Sequence, residues 1–188
     1  MPTSNLHFVA LTCHPQTSTD VVRGIGASLC RQPAGLLVVR FSLHADAGRL
    51  RVPAPQPSRR CDHLWQHTCF ELFVKLDAGS AYHELNVAPS GEWAIYAFHG
   101  YRQRAALPDD AAAPELTVRC SANRIELDAV VRAACLSTEY AHAALRVALA
   151  AVIEDARGGL SYWALRHPPG KPDFHHPDSF ALELVPES

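Results

Sequence analysis

Apolar and polar positions alternate with a period of two along most of this chain. The clearest case is "RIELDAVV", with Ile125, Leu127 and Ala129 on one side and Arg124, Glu126 and Asp128 on the other, as in a half-buried strand. "LHFVALT", "GLLVVRFSLHA", "TCFELFVKL", "YHELNVA", "EWAIYAF", "ELTVRCS", "LRVALAAVIE" and "FALELV" are likewise short, apolar-rich and bounded by turn formers. "PAPQPSRR", "APSGE", "LPDDAAAPE" and "RGG" read as turns and loops. "STDVVRGIGASLCR" fits a helical turn or another strand. About nine or more short strands with frequent turns predict an all-β chain, an antiparallel β-sandwich with few short helical turns.

Strand parity divides "LWQHTCFELFVKL" into two faces. Gln66, Thr68, Phe70, Leu72 and Val74 point one way, suiting a core between sheets; Trp65, His67, Cys69, Glu71, Phe73 and Lys75 point the other. In "AYHELNVAP", His83, Leu85 and Val87 share one face, and Tyr82, Glu84 and Asn86 the opposite one. Paired as a hairpin, the two strands bring Glu71 near Glu84 or Asn86, on a face that also carries Trp65 and Tyr82. One reading is a sandwich surface on which Glu71 and Glu84 are tied to Arg102, Arg166 or Lys171. The other is a binding face, with aromatic plates for an apolar surface and carboxylate and amide groups for hydroxyls; a saccharide has both.

Composition narrows the partners. Lys plus Arg number 17 against 19 Asp plus Glu, a formal net charge of −2, which argues against nucleic acid. The length suits a single domain, residues 1–188, with a core that needs no disulfide staples. The six cysteines contain no C-x-x-C pair and read as reduced thiols; Cys69 and Cys120, inside strands, are expected to be buried. "MPTSNLHFVALTCHP" has no basic start, so no signal peptide is expected and the predicted location is cytoplasmic. "AALRVALAAVI" falls short of the roughly 18 apolar residues of a membrane span.

The run "DHLWQHTCFELFV", followed by "YHELNVAPSGEWAIYAF" and "GYR", resembles the central hairpin of DOMON-like domains and is similar to family 9 carbohydrate-binding modules and the bacterial DOMON-like proteins near them. The likeness covers residues 60–105 best and "SYWALRHPPGKPDFHHPDSFALELV" less closely. It implies a β-sandwich with a ligand site on one side, taking a sugar or haem. By position it casts Trp65 and Trp163 as the two rings that hold a sugar end, and Trp93 as packing. Such modules are usually secreted and attached to an enzyme, which this chain's start does not suggest.

"YWALRHPPGKPDFHHPDSF" near the C-terminus carries Pro168, Pro169, Pro172 and Pro177, each fixing φ and removing a donor, and so reads as a stiff loop. It is expected to rim the site beside Trp163, with Arg166, His167 and Lys171 as donors. His167, His175, His176, Asp173 and Asp178 are zinc-ligand types without a helical spacing motif, and no metal is expected. Glu71 and Glu84 form the single carboxylate pair on a shared face, the one feature that suits a glycoside-active enzyme. No nucleophile elbow, P-loop or dinucleotide fingerprint accompanies it. A haem alternative would need two histidines, His67 or His83 with His167, since Met1 is the sole methionine. The expected function is non-catalytic binding of a small molecule, a saccharide, by Trp65, Glu71, Tyr82, Glu84, Asn86, Trp163, Arg166, His167 and Lys171, without a cofactor.

Overall fold

The computed structural model describes residues 6–107 and 113–186, so Met1 and most of the "LPDDAAAPE" loop lie outside the described residues. Among them run twelve strands: β1 (His7–Cys13), β2 (Val22–Gln32), β3 (Leu36–Ala45), β4 (Cys69–Leu76), β5 (Tyr82–Val87), β6 (Trp93–Gly100), β7 (Gln103–Ala105), β8 (Glu115–Cys120), β9 (Arg124–Arg132), β10 (Leu145–Glu154), β11 (Leu160–Ala164) and β12 (Leu182–Leu184). The helical structure among the described residues is confined to 3₁₀ turns of three or four residues. No helix among them is long and apolar enough to cross a membrane.

The strands form an antiparallel β-sandwich. One sheet has the order β8-β9-β3-β2-β1 and the other β7-β6-β5-β4-β10-β11, with β12 beside the first half of β10. β1 belongs to both: its residues 7–11 pair with β2, then Thr12 and Cys13 pair with Ala164 and Trp163 of β11. The ambiguous "STDVVRGIGASLCR" becomes strand β2, because Ile25, Ala27 and Leu29 alternate into the core.

The two sheets bury their faces differently. In β9, Ile125, Leu127, Ala129 and Val131 point into the sandwich, while Asp128 on the outer side pairs with Arg40 and Arg119. In β4, β5, β6 and β10 nearly every residue is buried. The second sheet is therefore covered on both faces. Phe70, Leu72 and Val74 meet Phe41 and its neighbours between the sheets, with the Phe41 and Phe70 rings 5.2 Å apart. Cys69, Phe73, Tyr82, Tyr96 and Phe98 form a second apolar cluster on the outer face, with Leu64, Phe174 and Phe180 packed over it from two loops. The expected parity holds residue by residue within β4 and β5; Trp65 and Gln66 fall in a 3₁₀ turn and His67 and Thr68 in the bend before the strand.

Cys69 is buried, but Cys120 at the end of edge strand β8 is exposed, contrary to expectation. An edge strand has no neighbour on one side, so the last side chain of β8 has nothing to cover it.

Candidate functional site

The outer face of the second sheet is not completely covered. Between the 3₁₀ turn Leu64–Gln66 and the loop that joins β11 to β12 lies an open cavity of about 280 Å³. Its floor is carboxylic: Glu71 of β4 and Glu84 of β5, which are 3% and 4% exposed. Trp65 stands on one side, Arg102 and Arg104 on another, and Phe98, Val152 and Tyr162 supply apolar surface. Pro172, Phe174 and His175 of the C-terminal loop close the remaining side.

The hairpin register explains the floor. Glu71 lies directly across from Asn86, and Glu84 across from Phe73, so the two acids are diagonal neighbours on one face. Asn86, fully buried, donates Nδ2–H to Glu84 Oε1 at 2.7 Å. Glu71 Oε1 and Asn86 Oδ1 are buried with no hydrogen-bond partner. Burial pushes Glu71 well above the usual carboxylate range, and the neighbouring Glu84 adds to this against the pull of Arg102. Burial also raises Glu84, to about 7, opposed by the Asn86 amide and the guanidinium groups of Arg104 and Arg102.

The walls are held by a second layer of contacts. The Arg104 guanidinium lies 3.8 Å over the Tyr96 ring, and Trp65 meets Tyr96 edge-on at 5.7 Å. Tyr96 in turn donates its hydroxyl to Asp62 at 2.9 Å. Tyr82 lies beneath the cavity, stacked on Phe98, and its oxygen accepts the Arg102 backbone N–H at 3.1 Å. The Tyr82 oxygen also lies 2.8 Å from His175 Nδ1, and we assign its free O–H as the donor of that bond. The neutral imidazole then carries its proton on Nε2, 3.8 Å from Glu84 Oε2. Burial, together with the nearby Arg102 charge, lowers the His175 pKa to about 4, which keeps the ring neutral. Of the three described non-glycine residues with left-handed backbone, two flank this cavity: His63 (φ 66°), which opens the Trp65 turn, and Arg102 (φ 55°). Each such residue costs on the order of 1 kcal/mol, accepted here where the backbone must aim a side chain at the cavity.

The C-terminal loop is tied down through Asp173. Its carboxylate accepts from the Tyr101 hydroxyl at 2.6 Å and the Arg102 guanidinium at 2.8 Å, and also from its own loop at His175 N–H, 3.2 Å. Burial works against the charge, but these donors hold the Asp173 pKa below the usual carboxylate range. Asp173→Ala should cost about 1–3 kcal/mol. The exchange protection of the His175 amide should disappear with it, measurable by hydrogen exchange; unchanged protection would mean that the Phe174 and Phe180 contacts hold the loop alone.

The structure sorts the expected site residues. Trp65, Glu71 and Glu84 line the cavity; Asn86 and Tyr82 lie just behind it and bond to Glu84 and His175. Trp163 does not reach it. The indole points between the sheets, 8% exposed, and its Nε1–H bonds Ser161 Oγ at 3.0 Å. Its neighbour Tyr162 takes the outward position, because adjacent strand residues face opposite ways. Arg166 and Lys171 are off the cavity wall, and His167 bonds the Thr12 carbonyl through Nε2 at 2.8 Å. Trp93 packs in the inter-sheet core. The residues that sequence reading passed over are Arg104, Phe98, Tyr162, Phe174 and His175. Parity within β11 was the available clue for Tyr162; Arg104 sits in a three-residue strand with too short a pattern to read.

The histidines considered for haem each have a separate partner. His83 Nδ1 lies 3.1 Å from the Tyr140 hydroxyl, and His67 Nδ1 lies 2.7 Å from Glu154, which Arg51 also grips at 2.7 Å. Among the described residues no three His, Cys, Asp or Glu side chains converge as a metal site requires. His176 instead accepts the Asp178 N–H within its own turn.

No protein-family model matches the sequence, and no curated protein does. Solved structures do match in shape. A candidate carbohydrate-binding protein from Bacteroides uniformis ATCC 8492 superposes with a TM-score of 0.71 at 12% identity, over 93% of this chain and 84% of that one. The chain shares the β-sandwich fold of that protein. A family 9 module from Caldicellulosiruptor kristjanssonii, solved in complex with glucose, superposes with a TM-score of 0.61 at 12% identity, over 96% of this chain and 84% of that one. At such identity the likeness is one of sandwich architecture, and the residues of the cavity have to be read on their own chemistry.

Proposed function

We propose that this chain is a non-catalytic saccharide-binding domain, DOMON-like in the wide sense, whose site is the cavity on the outer face of the second sheet. The observation that carries the reading is the pairing, in one cavity, of the Trp65 ring with buried hydrogen-bonding carboxyl groups and two guanidinium groups. A sugar offers a C–H face to the ring and hydroxyls to the acids and arginines. Structural neighbours described as carbohydrate-binding support the same ligand class. The cavity volume of about 280 Å³ lies at the small end of ligand pockets, roughly 300–1,000 Å³, and suits one terminal ring.

Binding without catalysis fits the placement of Glu71 and Glu84. Their spacing across adjacent strands also suits the carboxyl pair of a glycosidase, so the reading leans instead on neighbours described as carbohydrate-binding and on a sequence without a nucleophile elbow, P-loop or dinucleotide fingerprint.

With Trp163 in the core, one indole rather than two does the stacking, and Tyr162, Pro172 and Phe174 supply the opposing apolar surface. At about 25 cal/mol per Å² of buried apolar area, the Trp65 ring is worth on the order of 1–2 kcal/mol. Trp65→Ala should weaken binding roughly tenfold and leave the thermal midpoint nearly unchanged. Calorimetric titration with a panel of mono- and oligosaccharides tests this. The reading is lost if no saccharide binds, or if Trp65→Ala binds as the parent does.

A further inference from the structure

We infer that Glu71 is held as the neutral acid and donates its proton to Asn86 Oδ1, so that Asn86 in turn presents Glu84 as the one working carboxylate of the cavity. The inference rests on a count of donors and acceptors. Glu71 Oε1 and Asn86 Oδ1 are the two buried acceptors here that lack a partner, and they belong to residues paired directly across the β4–β5 hairpin. Such a pair has its Cβ atoms about 4.5–5.5 Å apart, with both side chains on one face. Two bare acceptors on side chains paired across one face of a buried site repel. A single proton on the Glu71 carboxyl satisfies both at once.

The rest of the network then falls into one consistent direction. Asn86 spends Nδ2–H on Glu84 Oε1, which therefore acts as acceptor. The Arg102 backbone N–H donates to Tyr82, Tyr82 donates to His175 Nδ1, and the His175 Nε2–H side faces Glu84 Oε2. Glu84 thus accepts a hydrogen bond on Oε1 and has the His175 ring 3.8 Å from Oε2, whereas Glu71 Oε1 has no partner. The opposite arrangement, with the proton on Glu84 and the Asn86 amide turned round, would set the charge on Glu71, the acid whose Oε1 no donor approaches.

The surrounding charges favour the same side. The titratable and charged groups around the pair are Cys69 on β4, Tyr82 on β5, Tyr96 directly across from Glu84 on β6, Arg102 and Arg104 beside and within the short edge strand, Tyr162 on β11, and Asp173 and His175 of the loop; β10 contributes only Val152. The charges of both arginines act on Glu84, whereas Glu71 feels Arg102 alone and the repulsion of Glu84. Burial raises both acids. Glu71 is by this account a positioning residue and Glu84 the specificity group, accepting a hydroxyl of the ligand.

Carbon-13 NMR of selectively labelled glutamate side chains tests the proton directly, in the ligand-free protein between about pH 5 and 8.5. Glu84 should titrate with a midpoint near 7, and Glu71 should hold the protonated carboxyl shift through neutral pH. Glu71→Gln, whose amide nitrogen replaces the acid as donor, should leave the Glu84 midpoint in place. Glu71→Leu, which cannot donate, should move it upward. Observing Glu71 ionised at pH 7, or an unshifted Glu84 midpoint in Glu71→Leu, would overturn the inference. Affinity for a saccharide that binds should be about fivefold weaker at pH 5.5 than at pH 8, because charged acceptors make the stronger bonds; Glu84→Gln should flatten that profile. This second arm depends on the saccharide reading. If no saccharide binds, that reading fails while the NMR result still decides the proton.

Discussion

Trp163→Ala should destabilise the protein by about 3–5 kcal/mol, the range for an aromatic ring deleted from a packed core. The indole is buried between the sheets and anchored through Nε1–H to Ser161, itself buried. It also stands at a junction. Trp163 pairs with Ala151 of β10 on one side and with Cys13 of β1 on the other, where β1 passes from one sheet to the next. A void at that point loosens the seam of the sandwich as well as its core. Urea unfolding followed by far-ultraviolet circular dichroism measures the loss, with Trp65→Ala as the matched control. Trp65 lies half-buried in a 3₁₀ turn on the outer face, and removing it should cost far less. A Trp163→Ala loss below about 1 kcal/mol would show that the ring is not a core element.

The second large effect is a pH dependence of stability with an unusual sign. Ordinary Glu carboxyl groups titrate near 4.3 in an unfolded chain, a rough reference value. Burial raises Glu84 to about 7 and raises Glu71 well above the usual carboxylate range. Between these limits the folded protein holds protons that the unfolded chain has released. The contribution of the pair is therefore complete below about pH 4.3 and is lost as pH rises through 7. A pKa difference of one between folded and unfolded chain corresponds to about 1.4 kcal/mol, so the buried pair changes stability by on the order of a few kcal/mol across that window. His175 acts the opposite way. Burial lowers its pKa to about 4, so its contribution is complete above about 6.5 and is lost as pH falls toward 4. A bare stability profile mixes the two. The difference between the parent and the Glu71→Gln, Glu84→Gln double variant isolates the acids: the parent should lose ground to the variant steadily from about pH 4.5 to 8 in urea melts. A difference that is flat across that range would mean both carboxyl groups ionise freely in the folded state.

Both effects start from features with uneven visibility in the sequence. Glu71, Glu84 and Asn86 could be placed on one face from "TCFELFVKL" and "YHELNVA" alone, since parity within a strand is a local property. That these acids would be buried could not be read there. Their burial comes from Phe174 and Phe180, nearly a hundred residues on, whose loop closes over a face that an isolated hairpin would leave wet. No inward parity was readable for Trp163, because "SYWAL" is aromatic at two adjacent positions and composition does not say which one points inward; the structure turns Tyr162 to the cavity and Trp163 to the core. Its likeness in position to the second ring of a sugar clamp pointed the wrong way.

What the sequence by itself determined is the antiparallel β-class, the division of β4 and β5 into a core face and an acid-bearing face, and the proline-punctuated loop that interrupts the strands before β12. Each of these depends on residues close together in the chain. Only the tertiary structure decided which indole reaches the cavity, that Arg104 and His175 join it, and that Cys120 stays exposed at an edge. Those outcomes depend on strand neighbours and loop closure between segments far apart in sequence, where the free energy of packing, not local pattern, selects the arrangement.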